Sequence, residues 1–351
     1  MSREFEERAC ARSSRRTPGP MQRAGRIRFR TAGIILPLSA FILGCAFAAN
    51  AAIAQLYPVK PVRVVVAFAA GGLADGVARM TGQKLSERLG QPVVIDNRGG
   101  AGGNIAAKLV AAAPNDGYTL LVNTAAMSIN VSLYRDPGYG FKDFVPVALT
   151  ASTPGLFAVH ASNPARSLQE LIKSAKTKGL NYATAGVGSS SHLAGDYLFR
   201  SLSGLNAIHV PYQGGGPAVT AALAQQVDVL SLSMPPVVPH VKAGRLKGLA
   251  ISSLTRVAAL PDVPTVAESG FPGFEERSWV GYFAPAGTNS VIVKRLNEEV
   301  NRSLGLADVR TYLDNLGLEP QPLPPAEFAA YVRAEVAKWA KIVKTTGITA
   351  N

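Results

Sequence analysis

Short apolar runs alternate with helical spacings of apolar residues over most of the chain. The first run covers residues 62–67, and a helical pattern follows it to about Leu89. Further runs predict strands at 93–97, 119–123, 145–150, 155–160, 180–183, 207–210, 227–232 and 246–251. Helical patterns occupy residues 168–178, 191–202, 216–224, 290–304 and 308–316. This alternation predicts an α/β fold of parallel sheets covered by helices, arranged in two lobes.

A last long helix is predicted after Pro324 and Pro325, which mark its N-terminus. Its helically spaced positions are apolar except for Glu335, and they comprise Phe328, Tyr331, Val332, Val336, Trp339, Ile342 and Val343. Such a stripe predicts a face that docks on the body of the protein.

The first 54 residues differ from the rest of the chain. Four arginines between Arg23 and Arg30 precede an apolar, uncharged stretch at 34–48. This stretch is shorter than the roughly 20 residues that a membrane-spanning helix needs, and an A-x-A site ends at Ala54. The pattern predicts a secretory signal peptide cleaved after Ala54, with Met21 as the true start and the periplasm as the destination.

Two alternatives to cleavage after Ala54 stay open. The leader could remain as an uncleaved N-terminal anchor. Alternatively, Cys45 could be acylated, because residues 42–45 (Ile-Leu-Gly-Cys) resemble a lipobox. In either case the protein would be held at a membrane.

Removal of the leader changes both the charge and the cysteine content. The whole chain has 36 Lys+Arg against 23 Asp+Glu, a net charge of +13. The leader holds nine of the arginines, three of the glutamates and both cysteines, Cys10 and Cys45, so the mature chain carries +7 and has no disulfide. The remaining charges are dispersed along the sequence, which argues against a nucleic-acid partner.

Two glycine-rich loops between a predicted strand and a predicted helix are candidate binding loops. The first contains Phe68, Ala69, Gly71, Gly72, Leu73, Ala74 and Asp75. The second contains Thr184, Gly186, Gly188, Ser189, Ser190, Ser191 and His192. Backbone N–H groups at a helix N-terminus carry partial positive charge, so both loops suit an anion such as a carboxylate. Both also lie at carboxyl ends of strands, where open α/β sheets bind their ligands.

Two further glycine-rich loops carry weaker signals. The loop at 98–104 lacks the Gly-Lys-Ser/Thr ending of a P-loop and is interpreted as a tight helix start whose glycines permit close packing. The loop at 210–216 follows another strand and offers Tyr212 and backbone groups to a ligand.

The sequence predicts neither an enzyme nor a metal or cofactor site. The serines and the histidine of the second candidate loop suggest the alternative of a hydrolase with a Ser–His pair, in which Ser190 would be the nucleophile. The G-x-S-x-G pattern typical of such a nucleophile is missing. Neighbours such as Ser191 and His192 also point in different directions. The remaining histidines, His160, His209 and His240, are isolated and lack metal-ligand spacing.

Several motifs, taken together, resemble the Bug family, the TctC-like extracytoplasmic solute-binding proteins of tripartite tricarboxylate transporters. The resemblance runs from about Tyr57 to Ile348. It is carried by residues 57–63, the loop that ends in Asp75, and the segments 90–94, 97–104, 114–120, 188–193, 210–212, 260–265 and 283–288.

The resemblance implies a type II periplasmic-binding-protein fold, in which a two-segment hinge joins two α/β lobes around a ligand cleft. The crossings are expected near Thr153 and Trp279. Lobe 1 would then comprise residues 55–153 and 279–351, and lobe 2 residues 154–278. Family ligands are small carboxylates, and Thr124 and Tyr212 correspond to contacts that flank the two candidate loops.

This chain departs from the family pattern at three places. The usual Gly-Gly-Ala-Thr-Asp is Gly71-Gly72-Leu73-Ala74-Asp75 here, and Ala70 replaces a common proline. Leu232 stands where many members have an aspartate after a strand. Leu73, Ala74 and Leu232 therefore predict a less polar pocket that favours a ligand with an apolar body.

The predicted function is a monomeric periplasmic receptor that delivers a small carboxylate to membrane permease subunits. A ligand-sensing partner of a membrane histidine kinase is the alternative, because it would use the same pocket.

Overall fold

The computed structural model describes residues 57–346, 348 and 350. The predicted leader, with Met21, Cys45 and the cleavage site after Ala54, lies outside the described residues. The strands are β1 (Val62–Val66), β2 (Val93–Asn97), β3 (Thr119–Thr124), β4 (Phe144–His160), β5 (Leu180–Thr184), β6 (Ala207–Pro211), β7 (Val229–Ser233), β8 (Leu246–Ile251), β9 (Arg277–Pro285) and β10 (Glu319–Pro320).

The helices separate these strands along the chain. They are α1 (Leu73–Leu89), α2 (Asn104–Ala111), α3 (Ala126–Leu133), α4 (Leu168–Lys178), α5 (Ser190–Asp196), α6 (Gly215–Leu223), α7 (Val238–Lys242), α8 (Ser290–Leu304), α9 (Ala307–Asn315) and α10 (Pro325–Thr346). A π-helical segment, Tyr197–Leu202, continues α5.

The first group of strands forms a sheet that is only partly parallel. β1 pairs in parallel with β2 and β3, whereas β9 runs antiparallel to β3, and β4 runs antiparallel to β9. The prediction of parallel sheets is therefore wrong for β4 and β9. It fails because β4 and β9 are the strands that connect the two halves of the molecule, and they do not belong to a strand–helix–strand unit.

The second group of strands surrounds β5. β5 pairs in parallel with β6 and β7, and the second half of β4 pairs antiparallel with β7 and β8. We call the β1–β3 part with its helices lobe 1, and the β5–β8 part with its helices lobe 2.

β4 changes partners in its middle. Up to Pro154 it pairs with β9, and from Gly155 it pairs with β7. β9 begins at Arg277. These two positions lie close to the predicted crossings at Thr153 and Trp279. The domain boundaries themselves stay a prediction.

Each lobe has its own apolar core. In lobe 1 the buried residues surround Val64, Leu121 and Phe283. In lobe 2 the alternation of side chains along β4 sends Leu156 and Phe157 to opposite faces of the sheet, where they join separate clusters.

The C-terminal helix α10 docks along its predicted apolar face. Phe328 is fully buried and packs edge-on against Trp279 of β9. The exception in the stripe, Glu335, is also buried and accepts hydrogen bonds of 3.1 Å from the indole nitrogens of Trp279 and Trp339. The predicted docking face is confirmed.

None of the described helices combines the length and the apolar character that crossing a membrane requires.

Candidate functional site

A small cavity lies where the two lobes meet. Its volume is about 20 Å³, which is room for about one water molecule. It is lined by Phe68, Leu73, Ala74, Thr124, Ala185, Ser189, Ser190, Ser191, Gly215, Ser233 and Ser278. These residues come from the carboxyl ends of β1, β3, β5, β6 and β7, or from the segments that follow them, and from the start of β9. The carboxyl ends of strands are where α/β sheets bind ligands.

The lobes touch each other directly beside this cavity. The backbone nitrogen of Ala69 donates a 2.8 Å hydrogen bond to the Gln213 carbonyl of lobe 2. A Cβ built on Gly216 would lie 2.3 Å from the Ala70 carbonyl oxygen, so only glycine permits this approach. The two lobes are therefore in direct contact beside the cavity, as expected of a closed form.

The loop at 98–104 also contributes to this contact. A Cβ on Gly102 would lie 2.2 Å from the Val187 carbonyl oxygen of lobe 2, and Gly102 has a positive φ of 63°. The loop does not line the cavity. Its glycines allow close packing, as the sequence indicates.

Three of the described helices begin at the cavity. α1 follows Gly72 and α6 follows Gly214, and neither of these N-terminal residues provides a side-chain cap. α5 follows Ser189, whose Oγ accepts a hydrogen bond from the backbone nitrogen of His192. The side chains of the cavity-lining residues are uncharged. The electrostatic character of the site is therefore set by unpaired N–H groups and helix dipoles, which favour an anion.

The hydroxyl groups at the start of α5 differ in their hydrogen bonds. Ser189 Oγ donates to the Gly186 carbonyl at 2.7 Å. Ser191 Oγ lies 3.0 Å from Ser189 Oγ and accepts from the Ala185 nitrogen. Because Ser189 has already used its one proton, Ser191 donates to Ser189. Both hydroxyl protons are thus used within the loop, and Ser190 is the serine of the three that can turn its proton towards a ligand.

Asp75 stabilises the first candidate loop from behind. Its carboxylate accepts from the Gly71 nitrogen at 2.9 Å and from Arg79 Nε at 3.0 Å. Burial raises the pKa of Asp75, but the bonds from Arg79 and Gly71 outweigh burial and keep the pKa below its usual value. Asp75 is therefore a charged anchor for the loop and does not line the cavity.

Two histidines stack behind the second candidate loop. The His192 and His209 rings lie 4.1 Å apart at 17°, and Thr184 Oγ lies 2.6 Å from His209 Nε2. His192 Nδ1 accepts from the Gly188 nitrogen at 3.4 Å. Burial lowers the pKa of His192 to about 4 and that of His209 to about 3. The interpretation of His209 as isolated is wrong, because the pairing of β5 with β6 brings it against α5.

The cavity brings together only part of the predicted site. Phe68, Leu73, Ala74, Thr124, Ser189, Ser190 and Ser191 line it. Ala69, Gly71, Gly72, Gly186 and Gly188 shape the backbone of the two loops, whereas Thr184 and His192 lie in the stacked cluster behind. Tyr212 packs against the core of lobe 2.

Leu232 lies in the core of lobe 2 and not in the cavity. It is 1% exposed, and β7 places it opposite Leu156. Its neighbour Ser233 lines the cavity instead, because side chains alternate along a strand. The expectation of a less polar pocket therefore keeps its support at Leu73 and Ala74 but loses it at Leu232.

Four lining residues were absent from the predicted site. Gly215 and Ala185 lie within or beside glycine-rich loops, and Ser233 is one residue from Leu232, so the sequence places them near the site. Ser278 belongs to β9, a strand that was not predicted. Within the described residues, no group of three or more His, Cys, Asp or Glu side chains is arranged to hold a metal ion.

Known proteins resemble this chain in both sequence and fold. A family model described as the tripartite tricarboxylate transporter family receptor (TctC) matches residues 77–348. A protein encoded in the tcbD-tcbE intergenic region of Pseudomonas sp. strain P51 is 39% identical, and the match covers 84% of this chain and 89% of that protein.

Two solved structures superpose on nearly the whole described chain. The periplasmic binding protein BugD has a TM-score of 0.81 and 36% identity, covering 84% of this chain and 100% of its own. Rpa4515 from R. palustris, solved with adipate, has a TM-score of 0.80 and 38% identity, covering 84% and 99%. These similarities confirm the predicted periplasmic-binding-protein fold.

The matched family consists of solute-binding receptors and not of enzymes, which confirms the prediction that this chain is not an enzyme. The family model covers well over half of the sequence, and the 39% identical relative extends over 84% of it. This chain belongs to the receptor family of the tripartite tricarboxylate transporters.

Proposed function

We propose that this receptor captures a small carboxylate in the interlobe cavity and delivers it to the membrane subunits of a tripartite tricarboxylate-type transporter. The proposed ligand class, a carboxylate, rests on one observation: three helix N-termini meet at a cavity that is lined by uncharged side chains. Anions are favoured there by the helix dipoles and by backbone donors. A relative that is 38% identical was solved with adipate.

Capture proceeds by closure of the two lobes. A cavity of about 20 Å³ is too small to admit a dicarboxylate while the lobes touch at Ala69 and Gln213. The lobes must therefore separate for the ligand to enter, and they must lie further apart around a bound dicarboxylate than they do in this structure. A ligand that contacts α1 of lobe 1 and α5 of lobe 2 together stabilises the closed form through its greater affinity for that form.

Comparison of adipate with its uncharged diamide tests the ligand class. The two molecules have the same length, so a difference in binding reports the negative charges. We expect adipate, or another carboxylate of a panel, to raise the melting temperature of residues 55–351, because the ligand binds only the folded state. The diamide should leave that temperature unchanged. Stabilisation by uncharged solutes alone would contradict the proposal.

Delivery to a transporter has its own test. Deletion of the gene should abolish high-affinity uptake of the labelled ligand by the host cells, and plasmid-borne receptor should restore it. Unchanged uptake in the deletion strain would favour the role of a sensor. Export is proposed from the leader, and cleavage after Ala54 predicts that the exported chain begins at Gln55 in a mass measurement.

A further inference from the structure

A groove much larger than the interlobe cavity lies between α5 with its π-helical extension and the C-terminal helix α10. Its volume is about 880 Å³, which falls in the range of about 300–1,000 Å³ that is typical of small-molecule sites. One wall comes from lobe 2, and the facing wall comes from α10. None of the described residues that line the groove also lines the interlobe cavity, so the two are separate.

The walls of the groove are mainly apolar and aromatic. On the side of lobe 2, the Tyr197 ring stacks on the Phe274 ring, with the ring centres 5.9 Å apart and the planes at 19°. Tyr197 is 47% exposed despite its size. On the other side the wall contains Tyr331, Trp339 and Ile342 of α10. An exposed apolar surface of this kind is typical of a binding groove.

The wall of lobe 2 contains the π-helical segment Tyr197–Leu202. Two of its residues, Tyr197 and Ser201, line the groove. π-helical turns are rare in proteins and occur frequently at functional sites. This segment does not line the interlobe cavity, so its position supports a separate role for the groove.

Two charged residues that line the groove are compensated within the protein. Glu335 is buried, accepts hydrogen bonds from two indole N–H groups and pairs with Lys338 at 3.0 Å. Arg277 pairs with Glu319 at 2.5 Å. Neither Glu335 nor Arg277 therefore decides which charge the groove prefers in a ligand.

Two adjacent glutamates also line the groove. Glu276 is buried, and its carboxyl lies 3.2 Å from Ser252 Oγ. Burial raises the pKa of Glu276, which favours the uncharged form. Glu275 is exposed, so water and salt screen its charge. These glutamates therefore give the groove little attraction for a cation.

The exposed surface of α10 beside the groove is basic. From Arg333 to Lys344 its exposed positions hold four cations and otherwise alanine, and we call these cations the basic edge: Arg333, Lys338, Lys341 and Lys344. Lys338 and Lys341 line the groove itself. With Glu335 counted, this half of the helix carries a net charge of +3. Apolar walls beside a basic edge are complementary to a molecule that joins an apolar chain to an anionic group.

We propose that the groove is a second binding site, which takes a free fatty acid with its apolar chain between the aromatic walls and its carboxylate at the basic edge. The interlobe cavity of about 20 Å³ is too small for such a chain. The proposal therefore goes beyond the capture of a small carboxylate between the lobes and does not rest on it.

Calorimetry with decanoate, below the concentration at which it forms micelles, tests the site in residues 55–351. We expect the Kd to fall about tenfold for every two carbons from hexanoate to decanoate, because each buried CH₂ adds a similar gain in affinity. Decylamine has the same chain and the opposite charge, so it should bind at least about fivefold more weakly than decanoate. Trp339 lines the groove, so decanoate should also change the tryptophan fluorescence.

Two variants locate the bound chain and its carboxylate. Tyr197→Ser removes a ring from the wall and should weaken decanoate about tenfold. Lys341→Glu reverses a charge of the basic edge and should weaken decanoate but not decylamine. Lys176→Glu is the matched control, because Lys176 is an exposed lysine of α4, and it should change neither Kd. Melting temperatures establish that the variants are folded.

The inference is overturned if decanoate gives neither heat nor a change in fluorescence, or if Tyr197→Ser and Lys341→Glu bind it like the wild type. Equal binding of decylamine would overturn the assigned ligand class. Cosedimentation with phosphatidylglycerol vesicles without binding of free decanoate would assign the basic edge to a membrane surface instead. The adipate experiment concerns the other cavity, so either proposal can fail while the other holds.

Discussion

At the scale of single residues, the stacked histidines make stability depend on pH. His192 and His209 are neutral in the folded state, with pKa values lowered to about 4 and about 3 by burial, against 6.5 when exposed. The unfolded chain therefore binds more protons below about pH 6.5. Their contribution to stability is complete above that pH and is lost as the pH falls towards about 4 and then about 3.

We expect the free energy of unfolding to fall between about pH 7 and about pH 5 by on the order of 2 kcal/mol per histidine. Urea unfolding at the two pH values measures this loss. His209→Gln provides the comparison, because carboxylates that titrate nearby contribute equally to both proteins. A pH dependence identical in wild type and variant would show that His209 is not the source.

The same scale shows how far the sequence predicts the site. The two loops at strand ends can be predicted from the sequence because glycines and hydroxyl-bearing residues cluster before helices, and both loops contribute lining residues. The direction in which a side chain points cannot be predicted in this way. His192 turns towards His209 because strand pairing brings residues 192 and 209 together. On β7, Ser233 lines the cavity in place of its neighbour Leu232 because adjacent side chains point to opposite faces.

At the scale of elements, β4 and β9 show where sequence patterns fail. β4 is one strand of 17 residues, although two separate strands are predicted from its apolar runs. The Thr153-Pro154-Gly155 segment between those runs resembles a turn, yet pairing with β9 on one side and β7 on the other keeps it extended. Tertiary pairing thus outweighs the local preference for a turn.

The C-terminal helix offers a test at this scale, because Glu335 joins it to β9. Glu335→Ala leaves the indole N–H groups of Trp279 and Trp339 without their acceptor. A buried donor without a partner costs about 1–3 kcal/mol, so we expect a loss of about 2–6 kcal/mol from the two together. Denaturant unfolding measures it.

Arg333→Ala is the matched control, since Arg333 is an exposed residue of the same helix. This variant should change stability by less than about 0.5 kcal/mol. Equal losses in the two variants would mean that the contact with Trp279 does not hold α10 in place.

At the scale of the whole molecule, function depends on how closely the lobes can approach. The lobes approach each other closely at Gly216, where an added Cβ would lie 2.3 Å from the Ala70 carbonyl oxygen. Gly216 lies within the helix α6, and alanine has a higher helix propensity than glycine. Gly216→Ala should therefore leave lobe 2 folded while it holds the lobes apart.

We accordingly expect Gly216→Ala to lose at least about tenfold in affinity for the carboxylate, which corresponds to about 1.4 kcal/mol, and to keep a larger radius of gyration than wild type when the ligand is added. Small-angle scattering with and without ligand measures closure, and calorimetry measures affinity. Gly305→Ala is the control, because its Cβ would meet only ordinary contact, 3.4 Å from the Arg302 carbonyl oxygen. If Gly216→Ala closes and binds like this control, the contact between Ala70 and Gly216 does not limit closure, and ligand capture must depend on another part of the interface between the lobes.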